Sequence, residues 1–386
     1  MFGAIDHQTP FPLRRRLAIR LTTLLATLVL AGRAHAQTTQ WTIDAKPLLT
    51  LGKAVGDESE VFASVSGATR LPNGNVLVAD RGEYSMHIYS PTGQEIKKSG
   101  RKGTGPGEFT YLASLFRCGT EVLTYDIEGS RMSVFSLDGT LRRSFRWSTR
   151  IGGNIPYKSA CNRDGVFVHY GWPSASERKI GVHRGRVPLW MSGADSAAGR
   201  SLGTIAGSER WGQAHGSRPL PLGREPRIAM GTTRAYVGEA TNYTINVFAV
   251  DGKPLAPIKK AVKLIPVAAK DVSDELEREL GSVGEKRRKG LEEEFAKIPM
   301  PKTLPPYRAL AVDALDNLWV QDYARSAPTS VMWTVFDARG QQVAAVQLPF
   351  ALDVFEIGSD YVLGRYLDED EGVPQVRMYR LLKRLR

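Results

Sequence analysis

The chain has 386 residues, 42% hydrophobic and 24% charged, an ordinary globular composition with enough length to bury a large core. Of the net charge of +12, five arginines against one aspartate place +4 in residues 1–36 and leave +8 for the rest. Export, rather than the charge, argues against nucleic acid as a partner. The mild excess fits solubility or attraction to anionic surfaces. Export is the reading of the N-terminus. Arg14, Arg15, Arg16 and Arg20 form a basic flank, Leu21 to Ala31 an apolar run, and Ala34-His35-Ala36 a small-residue cleavage signal. Residues 1–36 are therefore expected to be a signal peptide, too short to span a bilayer as a mature helix. The compartment is expected to be periplasmic or secreted, with residues 37–386 as one monomeric domain. No cysteine follows the apolar run, so a lipid anchor is not expected; Arg15-Arg16 is a weak twin-arginine signal.

From Pro47 onward the elements recur. Pro47 to Leu51 reads as a strand, followed by a glycine-bounded loop, Gly52 to Phe62. Leu71-Pro72-Asn73-Gly74-Asn75 is a turn before the strand Val76 to Asp80. His87 to Ser90 is the next strand, and a Pro-Thr-Gly turn leads to another at about Gln94 to Ser99. After the loop Gly100 to Phe109 the pattern restarts: Glu121 to Asp126, Ser133 to Ser136, an Asp138-Gly139 turn, then Leu141 to Trp147. Gly93 and Gly139 are 46 residues apart, and four short strands at such a spacing describe a propeller blade. Unit three has Val166 to Tyr170, then Val187 to Met191 and Ser201 to Ile205, with Arg184-Gly185 as an earlier alternative turn. Unit four has Ala235 to Glu239 and Ile245 to Phe248. Unit five has Asn317 to Asp322 and Trp333 to Phe336. Unit six has Tyr361 to Arg365 and Val376 to Arg380, and the chain ends before its fourth strand. The strand at 47–51 is expected to supply it, closing a six-bladed, all-β ring and hiding its edges.

The Gly-Pro-Gly-Glu-Phe loop at 105–109, the strand-end acids Asp80 and Asp126, and the segments Ile88 to Gly93 and Val134 to Gly139 resemble the NHL-type repeat. The chain from residue 37 is similar to the NHL- or TolB-like propellers of exported bacterial proteins. That resemblance implies the fold and leaves the function open, because this fold hosts many activities.

If each blade runs outward from strand a to strand d, the a–b and c–d turns share one face. The long segments then fall on the other: 171–179, 207–226 and the insertion 266–306. In that insertion Val272, Leu276, Leu280, Leu291, Phe295 and Ile298 follow helical spacing, so a helix pair lying on the propeller's face is expected. The same face receives the ends of strand b: Asp80, Asp126, Tyr170, Glu239, Asp322 and Arg365. These residues, with Trp211 and Arg218 of the long segments, are the candidate ligand-binding set. A strand-closing acid also commonly accepts backbone N–H groups in the next turn, and the repeat explains Asp80 and Asp126 that way. Arg365 and Arg218 suit an anionic group. Trp319 and Trp333 read as blade core, while Trp172 and Trp211 lie on the long loops. Cys118 and Cys161, 43 residues apart and at near-equivalent places in adjacent blades, are either a disulfide or two small buried residues.

Catalytic signatures are absent: no H-x-x-x-H pair, no G-x-S-x-G elbow, no P-loop. No metal site is assigned. Propellers resembling calcium-dependent lactonases hold the ion with oxygen ligands, a role that Asp80, Asp126, Glu239 and Asp322 could fill only by converging. The favoured function is a binding or interaction module for a small molecule, glycan or exported protein. The alternative is a calcium-dependent hydrolase or lyase at the channel mouth.

Overall fold

A computed structural model describes residues 39–53, 61–147, 156–172, 179–193, 199–214, 216–281, 283–325, 329–367 and 372–383. The expected signal peptide at 1–36, residues 54–60 of the first loop, residues 173–178 of the expected long segment 171–179, and His215 lie outside the described residues. Two strands open the described chain, β1 (Thr39–Ile43) and β2 (Leu49–Leu51). Four antiparallel sheets follow. The first is β3 (Val65–Arg70), β4 (Val76–Asp80), β5 (Ser85–Tyr89) and β6 (Glu95–Ser99). The second is β7 (Leu112–Cys118), β8 (Glu121–Asp126), β9 (Arg131–Ser136) and β10 (Leu141–Arg146). The third sheet combines β11 (Pro156–Cys161) and β12 (Val166–Gly171) with β14 (Arg186–Gly193) and β15 (Gly199–Ala206). Between and after these strands, β13 (Gly181–His183), β16 (Arg210–Gln213) and β17 (Gly216–Pro219) form a small sheet of their own. The fourth sheet is β18 (Arg227–Met230), β19 (Arg234–Gly238), β20 (Thr244–Ala249) and β21 (Pro254–Lys259).

Helices α1 (Ala269–Leu280) and α2 (Glu285–Phe295) precede the last strands. These are β22 (Tyr307–Val312), β23 (Leu318–Asp322), β24 (Ser330–Phe336) and β25 (Gln342–Pro349), then β26 (Leu352–Ile357), β27 (Tyr361–Leu367) and β28 (Pro374–Leu382). β2 pairs antiparallel with β28, Leu49 opposite Met378 and Leu51 opposite Val376. β1 adds a link that the repeat does not contain. It lies parallel to β25, with Thr39 opposite Ala344, and meets the end of β28 at Thr42 and Leu382.

The burial patterns follow from position in each sheet. The five residues of β4, Val-Leu-Val-Ala-Asp, are all buried because both faces are covered. On β6, one strand further out, half-buried and exposed residues alternate. The first strands of successive sheets touch in a cycle: β3 with β7, β7 with β11, β11 with β18, β18 with β22, β22 with β26, and β26 with β3. Apolar clusters lie between neighbouring sheets. Leu77 and Met86 meet Leu112 and Phe135, and Val168 and Leu189 meet Ala235 and Val237. Leu363 and Val376 meet Val65 and Val76 across the last and first sheets, with Leu49 and Leu51 of β2 in the same cluster. Trp319 and Trp333 are core, 0% and 2% exposed.

The loops 52–62 and 100–109 share a device. Gly52 and Gly100 have positive φ, +96° and +93°. A Cβ there would stand 2.9 Å from the Phe62 ring and 2.6 Å from the Phe109 ring, so only glycine lets each loop tuck its phenylalanine beneath it. Cys118 and Cys161 form a disulfide between β7 and β11, with Cα atoms 6.6 Å apart.

Two expectations need correction. The segment 207–226, expected as a long loop, carries two strands of the small sheet, and Gly181–His183 supplies the third. The apolar stripe of the helices is covered by Trp211 of β16 and by Leu220 just after β17, on which Val272, Leu276, Phe295 and Ile298 pack, while other residues of α1 face the ends of the blade strands. Trp211, the large apolar side chain of β16, is big enough to cover the stripe of a short helix.

Candidate ligand-binding site

The strand-end residues other than Tyr170 are held by hydrogen bonds or ion pairs within the fold. Asp80, wholly buried, accepts N–H bonds from Ala63 and Ser64 at 2.8 Å and from Gly82 at 2.8 Å. Asp126 repeats the geometry, accepting from Thr110 N–H at 2.6 Å, Tyr111 N–H at 3.2 Å, Gly129 N–H at 3.0 Å and the Thr110 hydroxyl at 2.7 Å. Burial opposes its charge, but these bonds outweigh it and hold the carboxyl below the usual aspartate value. Tyr170 is buried in the core between the third and fourth sheets, and burial raises its phenol. Glu239 accepts the Ala206 N–H at 2.9 Å, while Arg184 bonds its carbonyl and Gly207. Asp322 accepts from Tyr243 at 2.7 Å, Thr334 at 2.9 Å and Lys260 at 3.3 Å. Arg365 donates to the Val65 carbonyl at 3.1 Å and pairs with Asp353. The four acids thus hold separate donor sets and do not converge on a point. Among the described residues no group of three or more His, Cys, Asp or Glu is placed to hold a metal ion.

Two buried histidines have relay-like contacts. Ser85 Oγ lies 2.8 Å from His87 Nε2, and His87 Nδ1 lies 2.7 Å from Glu95. That order matches a nucleophile, base and acid, yet Ser85 is 0% exposed and out of reach of any substrate. His169 sits between Ser159, 2.8 Å from Nδ1, and Ser192, 2.9 Å from Nε2. Burial pushes it down to about 3, so it is a neutral, hydrogen-bonded core group.

A cavity of about 960 Å³ lies between α1, residues 218–227 and the ends of β22, β23, β25 and β27. Arg218 is the one member of the candidate set that lines it. It joins the hairpin to both helices, pairing with Glu279 of α1 and lying 3.6 Å from Glu294 of α2. Trp211 stands behind, in the core of the insertion, and Trp172 is elsewhere, 45% exposed with its ring 4.3 Å from Tyr157. Sequence reasoning missed Arg308, Tyr323, Phe350 and Leu367, which line the cavity. Tyr323 directly follows the strand-end Asp322, so extending the strand-b ring by one residue would have found it. Tyr307, also in the wall, accepts the Ala240 N–H at 2.8 Å, and burial raises it to about 12. A second cavity of about 340 Å³ opens between the far ends of β3, β7, β11, β18, β22 and β26. Its central Glu356 is satisfied by Thr69, Tyr361, the Arg70 N–H and Arg117.

No family model matches the sequence, and no curated protein matches it. Solved structures do. A putative exported protein from Bacteroides fragilis is 12% identical over 91% of this chain and 97% of its own, with a TM-score of 0.51. A member of the duf4221 family from Bacteroides vulgatus is 9% identical over 90% of this chain and 100% of its own, with a TM-score of 0.52. The fold is a β-propeller. A calcium-binding regucalcin from Agrobacterium tumefaciens, 12% identical over 90% of this chain and 97% of its own, overlaps at a TM-score of 0.42, too loosely to carry an argument. At these identities the likeness concerns the propeller's backbone and brings no activity with it.

Proposed function

We propose that the chain is an exported, non-catalytic binding propeller with six blades, closed by β2, that takes a small molecule in the cavity beside α1. Three observations support the ring: six first strands in cyclic contact, apolar clusters between neighbouring sheets, and β2 as the outermost partner of β28. The Gly-Pro-Gly-Glu-Phe loop supports NHL-type blades, and the basic, apolar and Ala-His-Ala order of the N-terminus supports export to the periplasm or beyond.

The observation that carries the binding role is the cavity itself. At about 960 Å³ it is at the upper end of small-molecule sites, and it lies where the inserted helix pair meets the rim. The insertion has no part in the blade repeat, so its helices are free to wall a pocket without disturbing the ring. A thermal-shift screen of small molecules on the exported chain tests this, run beside Ala351→Trp, which fills the cavity wall. Ligands that raise the melting temperature of the wild type should lose that effect in the variant. If the ligands found stabilise Ala351→Trp equally, the site lies elsewhere.

A further inference from the structure

Resting on that reading of the cavity, we infer that its ligand is an amphipathic carboxylate, with the charge held at Arg308 and the apolar body on Phe350, Ala351 and Leu367. The charge pattern of the wall selects the head group. Arg218 is paired with Glu279, Arg227 with Glu225 at 2.7 Å, Lys270 with Asp274 at 2.8 Å, and Arg278 with Glu275. Asp271 caps its own helix by accepting the Ala268 N–H at 2.7 Å and lies 3.8 Å from Arg325. Among the described cavity residues Arg308 is the cation with no carboxylate within 4.0 Å. The acid left over, Glu277, is exposed on α1 and acts on Lys270.

Arg308 is held for this use. Its guanidinium lies 5.6 Å from the Phe350 ring centroid, and a planar cation resting against an aromatic ring keeps an N–H edge for a carboxylate fork. The Tyr323 N–H bonds Pro306, and Arg308 is the unpaired residue where the register shifts between Tyr307 and Ala309, so the two lie diagonally across the β22–β23 ladder, and the guanidinium bears on the phenol. The Tyr323 hydroxyl has no hydrogen-bond partner among the described residues. Burial raises that phenol and Arg308 works the other way, so the hydroxyl stays protonated and able to donate beside the guanidinium. Together they offer three donors to one anionic head.

The charge must be single. Glu275 and Asp271 also bear on Tyr323, and a phosphate dianion would meet them with only one free cation to balance it. The body must be apolar. Phe350, Ala351 and Ala324 form a wall next to Leu367, which is 51% exposed, and an apolar chain covering that leucine removes its surface from water.

Calorimetric titration of the exported chain with hexanoate, octanoate and decanoate tests the assignment, with octanol and inorganic phosphate as probes that each lack one half of the ligand. Affinity should rise about fourfold per buried methylene, and octanol and phosphate should each bind more than about tenfold more weakly than octanoate. Arg308→Gln should weaken octanoate by about tenfold or more, Arg308→Lys by less, and Tyr323→Phe by several-fold, all at an unchanged melting temperature because both groups lie on the rim. Octanol binding as well as octanoate, or octanoate binding unchanged in Arg308→Gln and Arg308→Lys, overturns the head-group assignment. If screened ligands are blocked by Ala351→Trp while no carboxylate binds, the pocket stands and the carboxylate falls. If octanoate binds Ala351→Trp as it binds wild type, the pocket falls with it.

Discussion

Replacing both Leu49 and Leu51 by alanine tests the proposed closure, because it removes the two β2 side chains that pack between the last sheet and the first. They are 6% and 3% exposed and pack with Val65, Val76, Leu363 and Met378. Buried leucine to alanine costs about 2–5 kcal/mol each, so the pair should cost roughly 4–10 kcal/mol. Unfolding entropy of about 2.1 cal/mol/K per residue over roughly 350 residues gives about 0.7 kcal/mol/K, so the melting temperature should fall by roughly 6–14 °C. Ile96→Ala is the matched control. It also lies on an outermost strand, β6, but is 57% exposed and should cost less than about 0.5 kcal/mol. Calorimetric scans of the protein and both variants at equal scan rate give the comparison. Closure by β2 is refuted if the double variant melts within about 2 °C of the wild type, or no lower than Ile96→Ala.

Asp126→Ala should destabilise by about 3–5 kcal/mol at neutral pH by stripping the acceptor from three backbone N–H groups and leaving Arg131 3.7 Å from an empty place. Because the folded carboxyl sits below its ordinary 3.8, its contribution is present above that pH and lost as pH falls through the folded value; urea midpoints at pH 7 and pH 3 should show the wild-type advantage shrinking. His169, neutral and lowered to about 3 by burial, acts in the same direction over a different window. The unfolded chain takes up a proton below about 6.5 and the folded one does not, so stability drains between about pH 6.5 and 3, by up to about 5 kcal/mol. His169→Phe should start less stable at pH 7.5, with Ser159 and Ser192 deprived of partners, yet lose that share of the slope; an unchanged slope contradicts the assignment. Alkylation of the unreduced, denatured chain should modify neither Cys118 nor Cys161, and reduction should cost about 4 kcal/mol for a loop of 43 residues; two modified thiols would remove the bridge.

The repeat was legible because each blade writes the same local chemistry in a short window. Asn73-Gly74, Thr92-Gly93 and Asp138-Gly139 mark turns, and Val76 to Ala79 is apolar without alternation because neighbouring sheets cover both its faces. The small sheet at 181–219 was not legible. Gly181 to His183 and Gly216 to Pro219 are short, polar and glycine-flanked, and they become strands only because Arg210 to Gln213 lies between them in space. The helix pair could be read from Val272, Leu276 and Phe295. What covers it could not, since Trp211 and Leu220 lie about fifty residues or more upstream of the helices. The site suffered most. Asp80 and Asp322 attract attention as acids at strand ends, but their partners, backbone N–H groups and a Tyr243 hydroxyl, become visible only when the chain is folded.

Those ties also explain where binding chemistry has room to arise. A strand-end acid that accepts two or three N–H groups fixes the start of the neighbouring strand, and the same lone pairs cannot serve a ligand without releasing that backbone. A relay buried within a blade, such as Ser85-His87-Glu95, stiffens the sheet at the cost of access. Both leave these acids and the buried relay committed to contacts within the blades. The insertion is different, because the blade pattern does not depend on it: its acids neutralise the cations around them, and Arg308, on the blade's own first strand, is left over facing the space between. Ligand specificity in this propeller is therefore expected to follow α1 and the 218–227 segment. An exchange of that insertion between related chains should move binding while leaving the blades and their strand-end acids in place.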